Sequence, residues 1–179
     1  MAIATPLAGT SPYQAILGDA FASLHPNVRR AHLVPLAARG TLDVEHASHR
    51  LVPVLVALMS LPAAGQALPV RLVAEAVGDR VEWTRRIGSS VLRTWQRASG
   101  SRVVEHHGIG RVAFDLTVED GALAYRQAWI QAGPVGVPRV VRPDVRARVS
   151  PADAGWRVDV TVMWRGHLVC HYHGVMEVA

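Results

Sequence analysis

The chain has 179 residues, the length of one ordinary domain with a real buried core. Half of it is apolar and only 18% is charged, which excludes disorder. The formal net charge is +5, but all 19 basic residues are arginine and they are scattered, so the gathered basic face of a nucleic-acid footprint is missing.

In chain order, residues 1–11 are small and weakly patterned and read as a loose arm on a single domain, 1–179. Met1 to Gly18 has no basic n-region and no long apolar run, so no signal peptide is expected. The lone cysteine, Cys170, allows no intrachain disulfide and fits a reducing compartment, hence a cytoplasmic location. Ser11-Pro12 reads as an N-cap with Pro at the first helical position. Ile16, Leu17, Ala20, Phe21 and Leu24 then recur at helical spacing until His25-Pro26 ends the run, and a short second turn covers Asn27 to His32. Gly40 to Ala47 alternates as a strand, with Leu42, Val44 and His46 on one face. Ser48 is positioned to cap a helix from His49 to Leu61, closed by Leu61-Pro62 and Gly65. The apolar stretch Leu51 to Ala64 contains Pro53 and Pro62 and falls short of the ~20 residues of a spanning helix, so no membrane partner is expected.

After Pro69, segments rich in Val, Trp and Tyr follow one another. They are broken at Gly78-Asp79, Gly88-Ser89, Ser99-Gly100, Gly108 to Gly110, Asp120-Gly121, Gly133 to Pro138, Ala154-Gly155 and Arg165-Gly166, and the chain ends in a strand from Leu168 to Val178. Short connections make neighbouring strands antiparallel. The expected fold is mainly β (α+β). It is a strongly curved antiparallel sheet or closed β-barrel of about nine or ten strands, covered by an N-terminal helix and by the helix after the first strand.

Alternation assigns the inner faces. Val112, Phe114, Leu116 and Val118 form a plain core face, as do Val158, Val160, Val162 and Trp164. Four faces are mixed. One holds Val81, Trp83, Arg85 and Ile87; another holds Leu123, Tyr125, Gln127 and Trp129. The last strand offers Leu168, Cys170, Tyr172, Gly174 and Met176. In Val91 to Ala98 the inner set is Val91, Arg93 and Trp95, although Leu92 argues for the opposite face. Amphipathic aromatics with a few polar groups suit a ligand cavity, with Trp83, Trp95, Tyr125, Gln127, Trp129 and Tyr172 as candidate ligand-binding residues; the same pattern also describes a solid core whose Trp and Tyr bond locally. Arg85, between Trp83 and Ile87, must be paired or must hold an anion, and Glu105 is the first partner to name.

Several segments carry a resemblance: Trp83-Thr84-Arg85-Arg86, Val104-Glu105-His106-His107-Gly108, Val118 to Tyr125, and Tyr172-His173-Gly174, together with Tyr13 to Phe21 and Pro26 to Arg30. Through them the chain resembles a bacterial family of domains of unknown function, family four-one-six-six, some members of which are fused to dehydrogenase-like proteins. The resemblance implies a β-rich fold and no established activity. The chain departs from the pattern at His107, where an aromatic is expected, and at His173, where an arginine is expected.

His107 shares a face with Glu105, so the two are a candidate proton-transfer pair, with Arg85 as third catalytic candidate; a hydrogen-bonded histidine beside the Gly108 turn is the alternative. His167, His171 and His173 share a strand face, but that face is the solvent side, so no metal is expected. Gly108-Ile109-Gly110 lies between strands and is no phosphate loop, so no cofactor is expected. Two function classes remain. One is a cofactor-independent enzyme of isomerase or cyclase type in bacterial secondary metabolism, acting on an apolar small molecule. The other is a non-catalytic binding or carrier domain for such a molecule. Neither nucleic acid nor membrane is an expected partner, and a homodimer is left open.

Overall fold

A computed structural model describes residues 11–108 and 110–179. The arm expected over residues 1–11 therefore lies, but for Ser11, outside the described residues. The strands are β1 (Leu36–His46), β2 (Gly65–Val77), β3 (Arg80–Ile87), β4 (Ser90–Ser99), β5 (Arg102–His107), β6 (Gly110–Glu119), β7 (Ala122–Ala132), β8 (Val135–Gly136), β9 (Asp144–Ala152), β10 (Gly155–Trp164) and β11 (His167–Val178). Each long strand pairs antiparallel with its sequence neighbours, and β7 pairs with β9 across the two-residue β8. The first strand pairs with the last, from Ala38 opposite Val178 to His46 opposite Cys170. The result is a closed ten-stranded barrel.

The N-terminal run is not one helix. The capping box of Ser11 and Gln14 starts α1 (Pro12–Leu17), but Gly18 takes φ 52° and ψ −126°, and the chain continues as a 3-10 turn over Gly18–Ser23. With α2 (Pro26–Arg30), these pieces plug one end of the barrel. Their buried side chains are Tyr13, Phe21, Leu24 and Val28. The His25 N–H donates to the Gly121 carbonyl at 2.9 Å, and the Asn27 amide donates to the Ala152 carbonyl at 3.2 Å, which ties the plug to two turns at that end. At the other end α3 (Val52–Met59) joins β1 to β2. It begins three residues later than expected and is not capped by Ser48; its N-cap is Leu51, without a side-chain bond.

Pairing register corrects inward assignments in three strands. A β-bulge between Ala113 and Phe114 of β6 sets Trp129 opposite Ala113, on the outer face. A second bulge, opposite Val162 and Met163, skips Val169 and pairs Leu168 with Met163, so Leu168 leaves its inner row, while Trp164, two residues beyond Val162 on the unbulged β10, packs against the core. In β4 the partners of Trp83 and Val81 are Thr94 and Gln96, so Leu92, Thr94 and Gln96 face inward and Trp95 faces out.

Candidate functional site

A ten-stranded barrel is wider than the eight-stranded size that side chains can just fill. Its mid-height inward residues are accordingly only half-buried: Leu72, Arg85, Leu92, Glu105, Leu116 and Tyr172. The Arg85 and Glu105 side chains each keep 21% of their surface accessible although strands wall them in. The middle of the interior is therefore less tightly buried than its ends.

The inner side built by β3, β4 and β5 is polar. The Arg85 Nη1 donates to Thr94 Oγ1 at 2.8 Å and to Glu105 Oε1 at 3.2 Å. The Gln96 amide nitrogen donates to Glu105 Oε2 at 2.7 Å, and the Tyr13 hydroxyl, reaching in from the plug, donates to Gln96 Oε1 at 2.6 Å. Burial pushes the Glu105 carboxyl up, but the Arg85 guanidinium and the hydrogen bonds from Gln96, Thr94 and Arg85 outweigh it, and the net displacement is downward. Burial likewise works against charge on Arg85, and Glu105 overcomes it. The pair is ionised.

His32 completes the plug side. Its Nδ1 lies 2.6 Å from the Val28 carbonyl, which can only accept, so Nδ1 carries the proton. Burial lowers its pKa to about 4, so the ring is neutral and Nε2 accepts from the Tyr125 hydroxyl at 2.6 Å. Burial raises the Tyr125 hydroxyl well above its ordinary value and Tyr13 to about 12.

Three polar groups are left uncommitted. The indole Nε1 of Trp83 is buried and has no hydrogen-bond partner among the described residues. The Arg85 guanidinium lies 5.2 Å from the centre of that indole, and only its Nη1 is engaged by described residues. The Tyr172 hydroxyl feels both the Arg85 and Glu105 charges, and burial raises its pKa.

Of the residues singled out from sequence, Arg85, Glu105, Trp83, Tyr125 and Tyr172 share the barrel interior. Gln127 faces inward too, but its amide is spent on the chain after β8: Nε2 donates to the Pro143 carbonyl at 2.8 Å and Oε1 accepts from the Val145 N–H at 2.9 Å. No hydrogen bond joins His107 to Glu105, whose oxygens already serve Arg85 and Gln96. Trp95 and Trp129 lie outside; Trp95 stacks on His106 with ring centres 3.4 Å apart and carries Arg80 over its other side at 5.2 Å. His171 and His173 face outward, with His171 3.4 Å from Asp159, while His167 stacks on His49. Sequence reasoning missed Tyr13, His32, Thr94 and Gln96. The Leu92 face of β4 was the available signal for the last two.

The family model described as "Domain of unknown function (DUF4166)" matches residues 24–176. No curated protein matches the chain.

Proposed function

For a chain that belongs to this family of unknown function, we propose that the barrel binds a small, mainly apolar molecule bearing one oxygen acceptor. The single observation that carries this is the buried, unpartnered Trp83 N–H beside the partly engaged Arg85 guanidinium. A buried donor without an acceptor costs about 1–3 kcal/mol, so a ligand carbonyl or carboxylate that takes it gains affinity and direction. The opposite wall, with Leu42, Val44, Val160 and Val162, supplies the apolar contact.

A cofactor-independent isomerase or cyclase is the second reading, favoured by the Tyr172 hydroxyl. Beside Arg85 it stands where an enolate oxygen would need donors. Glu105 is a poor base for such a reaction because its ion pair lowers its proton affinity. In a non-catalytic carrier the same groups only hold the ligand.

The test is displacement of anilinonaphthalene sulfonate by a panel of lipophilic ketones and carboxylic acids. Displacement is expected with the wild-type protein, weakened about tenfold or more in Trp83→Phe and Arg85→Met, the loss typical of a buried bond to a charged group. Equal affinities in all three proteins would sink the proposal. Analysis of the displacing ketone after incubation separates enzyme from carrier.

A further inference from the structure

The two ends of the barrel differ in charge. The connections at the plugged end, 78–79, 100–101, 120–121 and 153–154, carry Asp79, Asp120 and Asp153, and the plug itself adds Asp19, Arg29 and Arg30. Those at the α3 end, 47–64, 88–89, 108–109, 133–143 and 165–166, carry Arg50, Arg139, Arg142 and Arg165 and no carboxylate.

Exposed apolar side chains sort the same way. The four most exposed large hydrophobics among the described residues are Leu58 at 78%, Val140 at 73%, Val135 at 66% and Val54 at 62%, and all four are at the α3 end. The helix α3, Val-Pro-Val-Leu-Val-Ala-Leu-Met, has no polar residue on any face. It buries Val52 and turns Val54 and Leu58 outward. A helix apolar all round is a buried helix, so its outward side needs an apolar medium.

The α3 side of the patch joins the 138–142 turn. A cleft of about 280 Å³ between α3 and the β10–β11 turn is lined by Arg50, Leu51, Leu55, Trp164, Arg165 and others. The Trp164 indole N–H donates to the Val141 carbonyl at 2.9 Å and Arg165 Nε to the Val140 carbonyl at 3.3 Å, which docks the 138–142 turn beside it. Arg165 also lies 4.9 Å over the Trp164 ring.

We propose that this end of the barrel docks on the surface of an anionic lipid bilayer. Val54, Leu58, Val135 and Val140 enter the headgroup region, and Arg50, Arg139, Arg142 and Arg165 meet the lipid phosphates. Apolar side chains ringed by arginines, with a tryptophan at the rim, match the layered chemistry of that interface. A second copy fits worse, because a two-fold contact would set arginines against arginines. At the opposite end Asp19, Asp79, Asp120 and Asp153 outnumber Arg29 and Arg30, which favours the same orientation in the field of an anionic surface. Among the described residues no helix is long and apolar enough to cross a membrane, and surface docking needs none. The inference is independent of what the barrel interior holds.

The experiment is sedimentation of the full chain with vesicles of phosphatidylcholine alone and of phosphatidylcholine mixed with phosphatidylglycerol, at low and high salt. Binding is expected to the mixed vesicles only and to weaken with salt. Leu58→Asp combined with Val140→Asp should abolish it. Arg139→Glu should weaken it about fivefold or more, while Arg30→Glu at the plugged end should change nothing. Brominated lipid should quench a fluorescence component that Trp164→Phe removes, a readout that does not depend on the aspartate variants folding. Absence of binding to the mixed vesicles overturns the proposal, as does binding that survives Leu58→Asp with Val140→Asp. A dimer in gel filtration that Leu58→Asp dissociates would overturn it too, by assigning the patch to a second copy.

Discussion

His32 is where burial and acid-base chemistry meet most sharply. Its folded pKa, about 4, lies below the ordinary 6.5, so the unfolded chain binds more protons between these values. Stability is therefore complete above pH 6.5 and falls as the pH drops toward 4, by about 3 kcal/mol for this one group. Glu105, also displaced downward, adds a loss of the same sign only below its ordinary value of 4.5, which leaves the interval from 6.5 to 4.5 to histidine. His106 is displaced in the same direction, so the measurement is a difference: urea melts across that interval for wild type and His32→Gln. The wild-type midpoint should fall and the variant's should fall much less; parallel curves would mean that His32 is not held neutral. The Arg85–Glu105 pair belongs to the same scale. Glu105→Gln strands the guanidinium and should cost about 3 kcal/mol in a denaturant melt, whereas Trp83→Phe, which removes an orphaned donor, should leave stability unchanged or higher. Part of this site was legible in sequence. Trp83, Arg85 and Glu105 sit on cleanly alternating strands, so period two was enough to aim them. Tyr13 and His32 were not legible, because their partners Gln96 and Tyr125 lie 83 and 93 residues away and nothing local announces such a contact.

At the scale of elements, the strands after Pro69 and their turns were read from the sequence because each break contains a glycine, although β2 already starts at Gly65, which was read as closing a helix. Faces failed where the period slipped. An extra residue at a bulge exchanges inside for outside, and neither the Ala128 step before Trp129 nor the Val169 step after Leu168 has a glycine or proline to mark it. In β4 the apolar residues Val91, Leu92 and Trp95 fall on both faces, so hydropathy could not choose, and the pairing with β3 did. The glycines within strands answer a different need. A Cβ on Gly174 would sit 2.0 Å from the Thr41 carbonyl oxygen, and one on Gly40 would sit 2.1 Å from that of Val175, so β1 and β11 approach more closely than any side chain permits. These contacts are with backbone and cannot be relieved by a rotamer. Gly174→Ala should therefore cost about 3 kcal/mol or more, as overpacking does at its worst. Gly78→Ala is the comparison: its φ of +63° disfavours a side chain but nothing lies within 4 Å, so about 1–2 kcal/mol is expected. Thermal melts of the two variants side by side check the ordering, and an equal loss would show that the β1–β11 approach is looser than drawn.

At the scale of the whole molecule, one seam decides whether there is a barrel. The outer wall is water-facing: Arg39 pairs with Glu177 at 3.0 Å and Arg148 with Glu119 at 2.9 Å, and Arg71 stands opposite Arg86 across β2 and β3. Every strand but those at a break is hydrogen-bonded on both sides, and the only thing that removes the two free edges of so long a meander is the pairing of β1 with β11. That pairing joins Ala38 to Val178, nearly the full length of the barrel-forming chain, so its loop-closure entropy is met late and all at once. The same strand carries Tyr172 and the buried Cys170 and Met176 into the interior, and it packs against α3. Deleting residues 167–179 thus removes a wall of the barrel, exposes the β1 and β10 edges together, and leaves nine strands with no means of closing. The expected outcome is loss of the cooperative thermal transition and of near-ultraviolet circular dichroism, with far-ultraviolet strand signal partly kept and strong anilinonaphthalene sulfonate fluorescence, the signature of a collapsed state without fixed packing. Adding a synthetic peptide of residues 167–179 should restore the near-ultraviolet signal, since the seam offers it two ready edges. A deletion that still melts cooperatively would show that the meander is stable as an open sheet and that closure is not what holds the site together.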